Sequence, residues 1–218
     1  MAVAGGPSSV QLATGAAAIT YSPDRGIEHT LQRGVLDWGE TRGRPCIAGD
    51  TQGVGGLGHL GIQFARRMGF QVAAIARGPE KESLARKLGA HHYIDRNAQD
   101  PVAALQALGG ARLILATAAN SKSMSPLLGG LAPRGQLIVA GAGGNEPISV
   151  DPVPLLFGMR SIAGTMTGSS IDAEDTLSFS SLQGIRPMIE TLPLANAAEA
   201  YGRMMRNEAR FRIVLVPD

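Results

Sequence analysis

The chain has 218 residues, of which 44% are hydrophobic and 17% charged, enough for one ordinary domain and part of a second with a real core and no need of disulfide staples. Aromatic residues reach only 4% and the formal net charge of +2 comes from scattered basic residues, which argues against a stacking platform for single strands, nucleic-acid binding or a membrane-surface patch. Cys46 is the single cysteine, no apolar run approaches a membrane-spanning length, and Met1 to Thr20 lacks the basic start of a secretory signal, so a reducing, cytoplasmic setting is expected.

Residues 1–44 show weak patterning. Gly5-Gly6-Pro7-Ser8-Ser9 precedes a short alternating run from Val10 to Ala18, and polar residues broken by Pro23, Gly26 and Gly39 follow. This stretch reads as a remnant or divergent N-terminal segment. From residue 45 to 218, short apolar runs alternate with helical patterns at βαβ spacing, the signature of an α/β, Rossmann-type doubly wound parallel sheet.

The approach Cys46 to Gln52 makes a poor first strand. A helix is predicted over Leu57 to Met68, closing with Arg66 and Arg67 at the negative end of its dipole and Gly69 as the stop. A strand follows over Phe70 to Ala76, then a helix from Pro79 to Gly89 and a short strand over His92 to Asp95. Asp100 is placed to cap a third helix that opens on Pro101. Strands over Ala111 to Ala116 and Gln136 to Gly141 flank a helix over Ser125 to Leu131. A strand near Ser161 to Gly164, an amphipathic helix over Leu194 to Arg206 and a last strand over Phe211 to Val216 complete the chain. That last strand is expected either to pair with Val10 to Thr20 or to stand open as an association edge.

Gly53-Val54-Gly55-Gly56-Leu57-Gly58 fits G-x-G-x-x-G, in which glycines allow the tight turn, the approach of backbone to a pyrophosphate, and close helix–strand packing. Among 29 glycines the spacing alone is weak. A helix and then a strand follow it within a unit of about thirty residues, as the fingerprint requires. At the end of the second strand, where an NAD site places a carboxylate on the ribose 2′-hydroxyl, the chain has Ala76-Arg77-Gly78. Arg77 and Lys81 can donate charge-assisted hydrogen bonds to a 2′-phosphate, so NADP(H) is favoured over NAD(H). The competing reading of both as solvated surface cations stays open.

The stretch Gly53 to Gly61, continued by Gln63-Phe64-Ala65 and Leu88-Gly89-Ala90, resembles the zinc-type medium-chain alcohol dehydrogenases. Leu131-Ala132-Pro133-Arg134-Gly135 and the closing run Ala197 to Met205 with Arg210 to Leu215 add to the resemblance, which covers most of residues 53–218. It implies hydride transfer between NADP(H) and a small alcohol or aldehyde. It also implies that Thr117, Ala118, Gly141 and Ala142 border the ribose and nicotinamide, and that Arg212 approaches the pyrophosphate. A homodimer joined through the strand near Ser161 to Gly164 is a further implication. His59 reads as a packed residue of the first helix rather than a catalyst.

The resemblance fades upstream of Gly53. The family implies zinc, yet residues 1–52 contain no G-H-E motif and only His29 and Cys46 as soft ligands, where a catalytic zinc takes three protein ligands. No metal ligand set and no catalytic residue is therefore assigned. The alternative reading is a non-catalytic NADP(H)-binding module. A methyltransferase is disfavoured by the missing carboxylate after the second strand. A short-chain reductase lacks its Tyr with Lys four positions on, and a Ser–His–Asp hydrolase lacks G-x-S-x-G.

Overall fold

The computed structural model describes the backbone of residues 45–49 together with residues 54–117, 120–141, 146–165, 168–206 and 208–217. The segment 1–44, including the expected strand over Val10 to Thr20, lies outside them. Six parallel strands form the main sheet: β1 (Pro45–Gly49), β2 (Gln71–Ala76), β3 (His92–Asp95), β4 (Ala111–Ala116), β5 (Leu131–Val139) and β6 (Ser161–Gly164). Their order is β3-β2-β1-β4-β5-β6, the doubly wound arrangement expected from the βαβ spacing.

Burial on both faces follows from alternation along the strands. On β2, Val72 and Ala74 join Leu60, Ile62, Phe64 and Ala65 of helix α1 (Gly58–Arg67) in one core layer. Ala73 and Ile75 point the other way, into a second layer with Leu105, Met124, Leu127 and Leu137. Strands buried on both sides read as continuous apolar runs, which is why β2 and β4 are legible in the sequence. Each fully buried Leu, Ile or Phe here contributes about 1.5–3 kcal/mol.

Glycine ends the first two helices as expected. After α1, Gly69 takes φ +88 and Phe70 N–H donates to Ala65 O at 3.0 Å. After α2 (Glu82–Leu88), Gly89 takes φ +112 and Ala90 N–H donates to Ala85 O at 3.0 Å. These six-to-one bonds satisfy carbonyls that the helix leaves open. Asp100 caps α3 (Pro101–Ala107), accepting from the Val102 and Ala103 N–H groups.

Several elements depart from the sequence reading. Within the stretch Cys46 to Gln52, expected to make a poor first strand, residues up to Gly49 belong to β1 at the centre of the sheet, because β2 and β4 offer it a hydrogen-bonding partner on each side. The helix expected over Ser125 to Leu131 is a short α4 (Ser121–Met124) capped by Asn120, followed by a 3-10 run over Ser125–Gly130, and β5 already begins at Leu131. Two helices were not anticipated, α5 (Pro152–Phe157) and α6 (Ser170–Gln183). Ser169 and Ser170 are the cap and first residue of α6, where Ser169 and Asp172 form a reciprocal capping box.

Strand β8 (Arg212–Val216) has on one side a partner that the sequence reading did not name, while the run Val10 to Thr20 lies outside the described residues. The strand pairs in parallel with β7 (Ile189–Pro193), and α7 (Ala197–Met205) makes the crossover. The Glu190 carboxylate ties this unit together, pairing with Arg203 of α7 and accepting the Arg210 N–H at 2.6 Å. No helix among the described residues is long and apolar enough to cross a membrane.

Candidate dinucleotide site

The strand order reverses between β1 and β4, and a crevice beyond the carboxyl ends of the strands at such a point is where α/β sheets bind ligands. The ends are level: Gly49 pairs with Ala116, Ala116 with Val139, and Val139 with Gly164. The glycine-rich motif, Thr117 and Gly141 therefore all come to one edge of the sheet. Gly53, Ala118 and Ala142, also expected here, lie outside the described residues.

Residues 54–57 lead into α1, whose start carries no side-chain cap and no acidic residue in its first turn. Among the described residues, no acceptor meets the N–H groups of Gly56, Leu57 and Gly58. Gly56 is exposed, and a Cβ added there would meet nothing within 4 Å. Open space in front of uncapped amides at the positive end of a helix is suited to an anion. Arg212 of β8 reaches the same turn, its Nη2 donating to Gly56 O at 3.2 Å.

The second expected feature is the turn after β2. Arg77 is exposed and Lys81 is half-buried in a short 3-10 turn, Pro79–Lys81. Gly78 between them holds φ +78, which only glycine adopts without strain. Two residues of β3 clamp it: Asp95 Oδ1 accepts the Gly78 N–H at 2.8 Å and the Asn97 N–H at 2.9 Å, and the Tyr93 hydroxyl donates to Gly78 O. Burial, reinforced by the Asp95 carboxylate, pushes the Tyr93 phenol up to about 12, so it remains a donor at neutral pH. The sequence reading found no carboxylate at the end of β2, but Asp95 comes to that turn from the adjacent strand, where it pairs with Ala76. Pairing register, invisible before the neighbour of β2 is known, is what places it.

At the β4 end, the Ala140 and Gly141 N–H groups both donate to Ala116 O, at 2.9 and 3.2 Å, so the two strand ends are locked side by side. Among the described residues, the Thr117 hydroxyl beside them is buried with no hydrogen-bond partner. An orphaned hydroxyl at the switch point, with unmet loop amides, fits a bound polar ligand such as a dinucleotide. For zinc the outcome differs. Among the described residues no group of three or more His, Cys, Asp or Glu side chains could hold a metal ion, and His29 lies outside them.

His59, expected as a packed residue, is fully buried on α1 and engaged at both ring nitrogens. Burial holds its pKa at about 4, so the ring is neutral at pH 7.

A model of the family described as zinc-binding dehydrogenase matches residues 56–181. Alcohol dehydrogenase notN of Aspergillus sp. (strain MF297-2) is 39% identical over 214 residues, covering 97% of this chain and 61% of that protein. Alcohol dehydrogenase patD of Penicillium expansum is 44% identical over 165 residues, 75% of this chain and 48% of that protein. The chain thus spans about half to three fifths of the length of these relatives. Among solved structures, a cinnamyl alcohol dehydrogenase of Sorghum bicolor superposes with a TM-score of 0.75 at 26% identity, over 93% of this chain and 55% of that one. Acetophenone reductase of Geotrichum candidum, solved with NAD, shares the fold with a TM-score of 0.72 at 21% identity, over 92% and 55% of the two chains.

Proposed function

Because the chain belongs to the zinc-binding dehydrogenase family, we propose that it is a dinucleotide-binding oxidoreductase that passes a hydride between NADP(H) and a small alcohol or aldehyde. The observation that carries this reading is the uncapped start of α1, with its unmet amides and open space at Gly56, set at the point where the strand order reverses. The nicotinamide supplies the hydride when the cofactor is bound. The chain's own residues bind and orient it.

In this reading the amides of Gly56, Leu57 and Gly58 grip the diphosphate and Arg212, beside them on β8, adds positive charge. Gly53 and Gly55 shape the turn. Arg77 and Lys81, on the turn held by Tyr93 and Asp95, take the 2′-phosphate. Thr117 and Ala118 with Gly141 and Ala142 border the ribose and the nicotinamide, where the Thr117 hydroxyl, without a partner among the described residues, has a hydrogen bond to offer. Preference for NADP(H) rests on the cations at the turn; Ala76, Arg77 and Gly78 carry no carboxylate, and Asp95, which reaches the turn from β3, is engaged by the Gly78 and Asn97 N–H groups.

The test is an equilibrium titration of the chain with NADPH and with NADH. The expected result is tighter binding of NADPH by about tenfold or more. Equal affinities would remove the specificity argument, and no binding of either would remove the dinucleotide site. Aldehyde reduction by NADPH, assayed with metal analysis on the same sample, checks the hydride-transfer claim. Binding without reduction would favour the non-catalytic module instead.

A further inference from the structure

The imidazole of His59 is fully buried and contacts the glycine-rich turn. Its Nε2 is 3.0 Å from the Met188 nitrogen, just ahead of β7. A backbone N–H can only donate, so Nε2 is the unprotonated acceptor. The proton of the neutral ring therefore sits on Nδ1, which donates to Gly55 O at 2.9 Å. The same carbonyl also receives the His59 backbone N–H at 3.1 Å. Phe211, just ahead of β8, stacks on the ring with centroids 4.9 Å apart.

Two donors fix the direction of the Gly55 carbonyl. In a planar trans peptide the carbonyl and the following N–H point in opposite senses. Drawing Gly55 O toward the helix thus turns the Gly56 N–H away from it, at a residue that is itself exposed. Arg212 acts in the same way one residue later: by holding Gly56 O it turns the Leu57 N–H outward. Glycine at 55 and 56 has the widest range of backbone conformations, so this peptide most needs an external hold.

We propose that His59 is a positioning residue of the dinucleotide site, whose Nδ1–H sets the Gly55–Gly56 peptide for diphosphate binding while its Nε2 fastens that peptide to the β7–β8 unit. The inference rests on the dinucleotide reading above. A purely space-filling role would need neither nitrogen.

The two nitrogens can be separated by substitution in the full chain. Asn carries an amide donor at the reach of Nδ1 and nothing at that of Nε2, whereas Gln reaches the Nε2 position and leaves Gly55 O without its side-chain donor. Dinucleotide affinity should fall about tenfold in His59→Gln and His59→Leu and stay within about threefold of the parent in His59→Asn. Thermal stability, measured alongside, should fall in His59→Asn as well, which separates loop orientation from folding. Parent-like affinity in His59→Leu, or equal losses in Asn and Leu, overturns the proposal while leaving the dinucleotide site intact. A parent that binds neither NADPH nor NADH overturns both. Should the variants not fold, imidazole ¹⁵N shifts of the parent decide: the Nδ1–H tautomer is expected, and an Nε2–H tautomer contradicts the proposal.

Discussion

Arg77 owes its setting to neighbours that hold its backbone and leave its side chain exposed. Gly78 is fixed from β3 by both Tyr93 and Asp95, so the guanidinium projects from an ordered turn. Replacing it, Arg77→Asp, should weaken NADPH about 10- to 100-fold in a binding titration and leave NADH within a few fold, since only the former loses a charge-assisted contact and gains repulsion. Tyr93→Phe removes the hold on Gly78 O without altering charge. It should cost about 1 kcal/mol in urea unfolding and weaken NADPH more than NADH. His59 supplies a pH dependence. Burial lowers its pKa from 6.5 to about 4, so between those values the unfolded chain binds more protons than the folded one. Its contribution, on the order of 3 kcal/mol, is fully present above pH 6.5 and is lost as the pH falls toward 4. Urea midpoints from pH 7 to 4 should fall more steeply in the parent than in His59→Leu, and parallel slopes would contradict this.

Among the elements, those with strong local signals were legible and those set by tertiary contacts were not. The glycine stops at Gly69 and Gly89 and the cap at Asp100 depend on short-range hydrogen bonds, and the sequence shows them directly. Asp100→Ala should accordingly cost about 1 kcal/mol of stability, measured by chemical denaturation. The strand β1 was hidden because its partners on both sides, rather than its own composition, favour its extended state. Helix α6 was hidden for a different reason. Ile171, Leu177 and Leu182 are exposed, while small Ala173 and polar Thr176 are buried and Phe179 alone among its large apolar residues packs against the core, so no continuous apolar stripe marks its inner face. At the candidate site, the glycine-rich turn before α1 and the Arg77 turn after β2 were readable as spaced motifs. The clamps by Tyr93, Asp95 and His59 were not, because each depends on a contact across strands or on the β7–β8 unit.

Across the whole molecule, the C-terminal unit is joined to helix α1 and the glycine-rich turn at several points. Ile185 enters the core, Gln63 donates to Arg186 O at 3.0 Å, Met188 meets His59, and Arg212 meets the glycine-rich turn at Gly56. Dinucleotide binding should therefore slow amide exchange in β7 and β8 as well as in α1. The opposite edge of the main sheet ends on β6, beside α5, where Leu156 and Phe157 are 72% and 81% exposed. If that edge joins two copies, as the family resemblance implies, Phe157→Asp should shift sedimentation from dimer to monomer.

The most direct measurement is a ¹H–¹⁵N NMR titration of the chain with NADPH. Saturable shifts that are largest at the amides of Gly55 to Gly58, with smaller ones at Arg77 and Thr117, are predicted. Binding that leaves those loop amides unmoved would contradict the account.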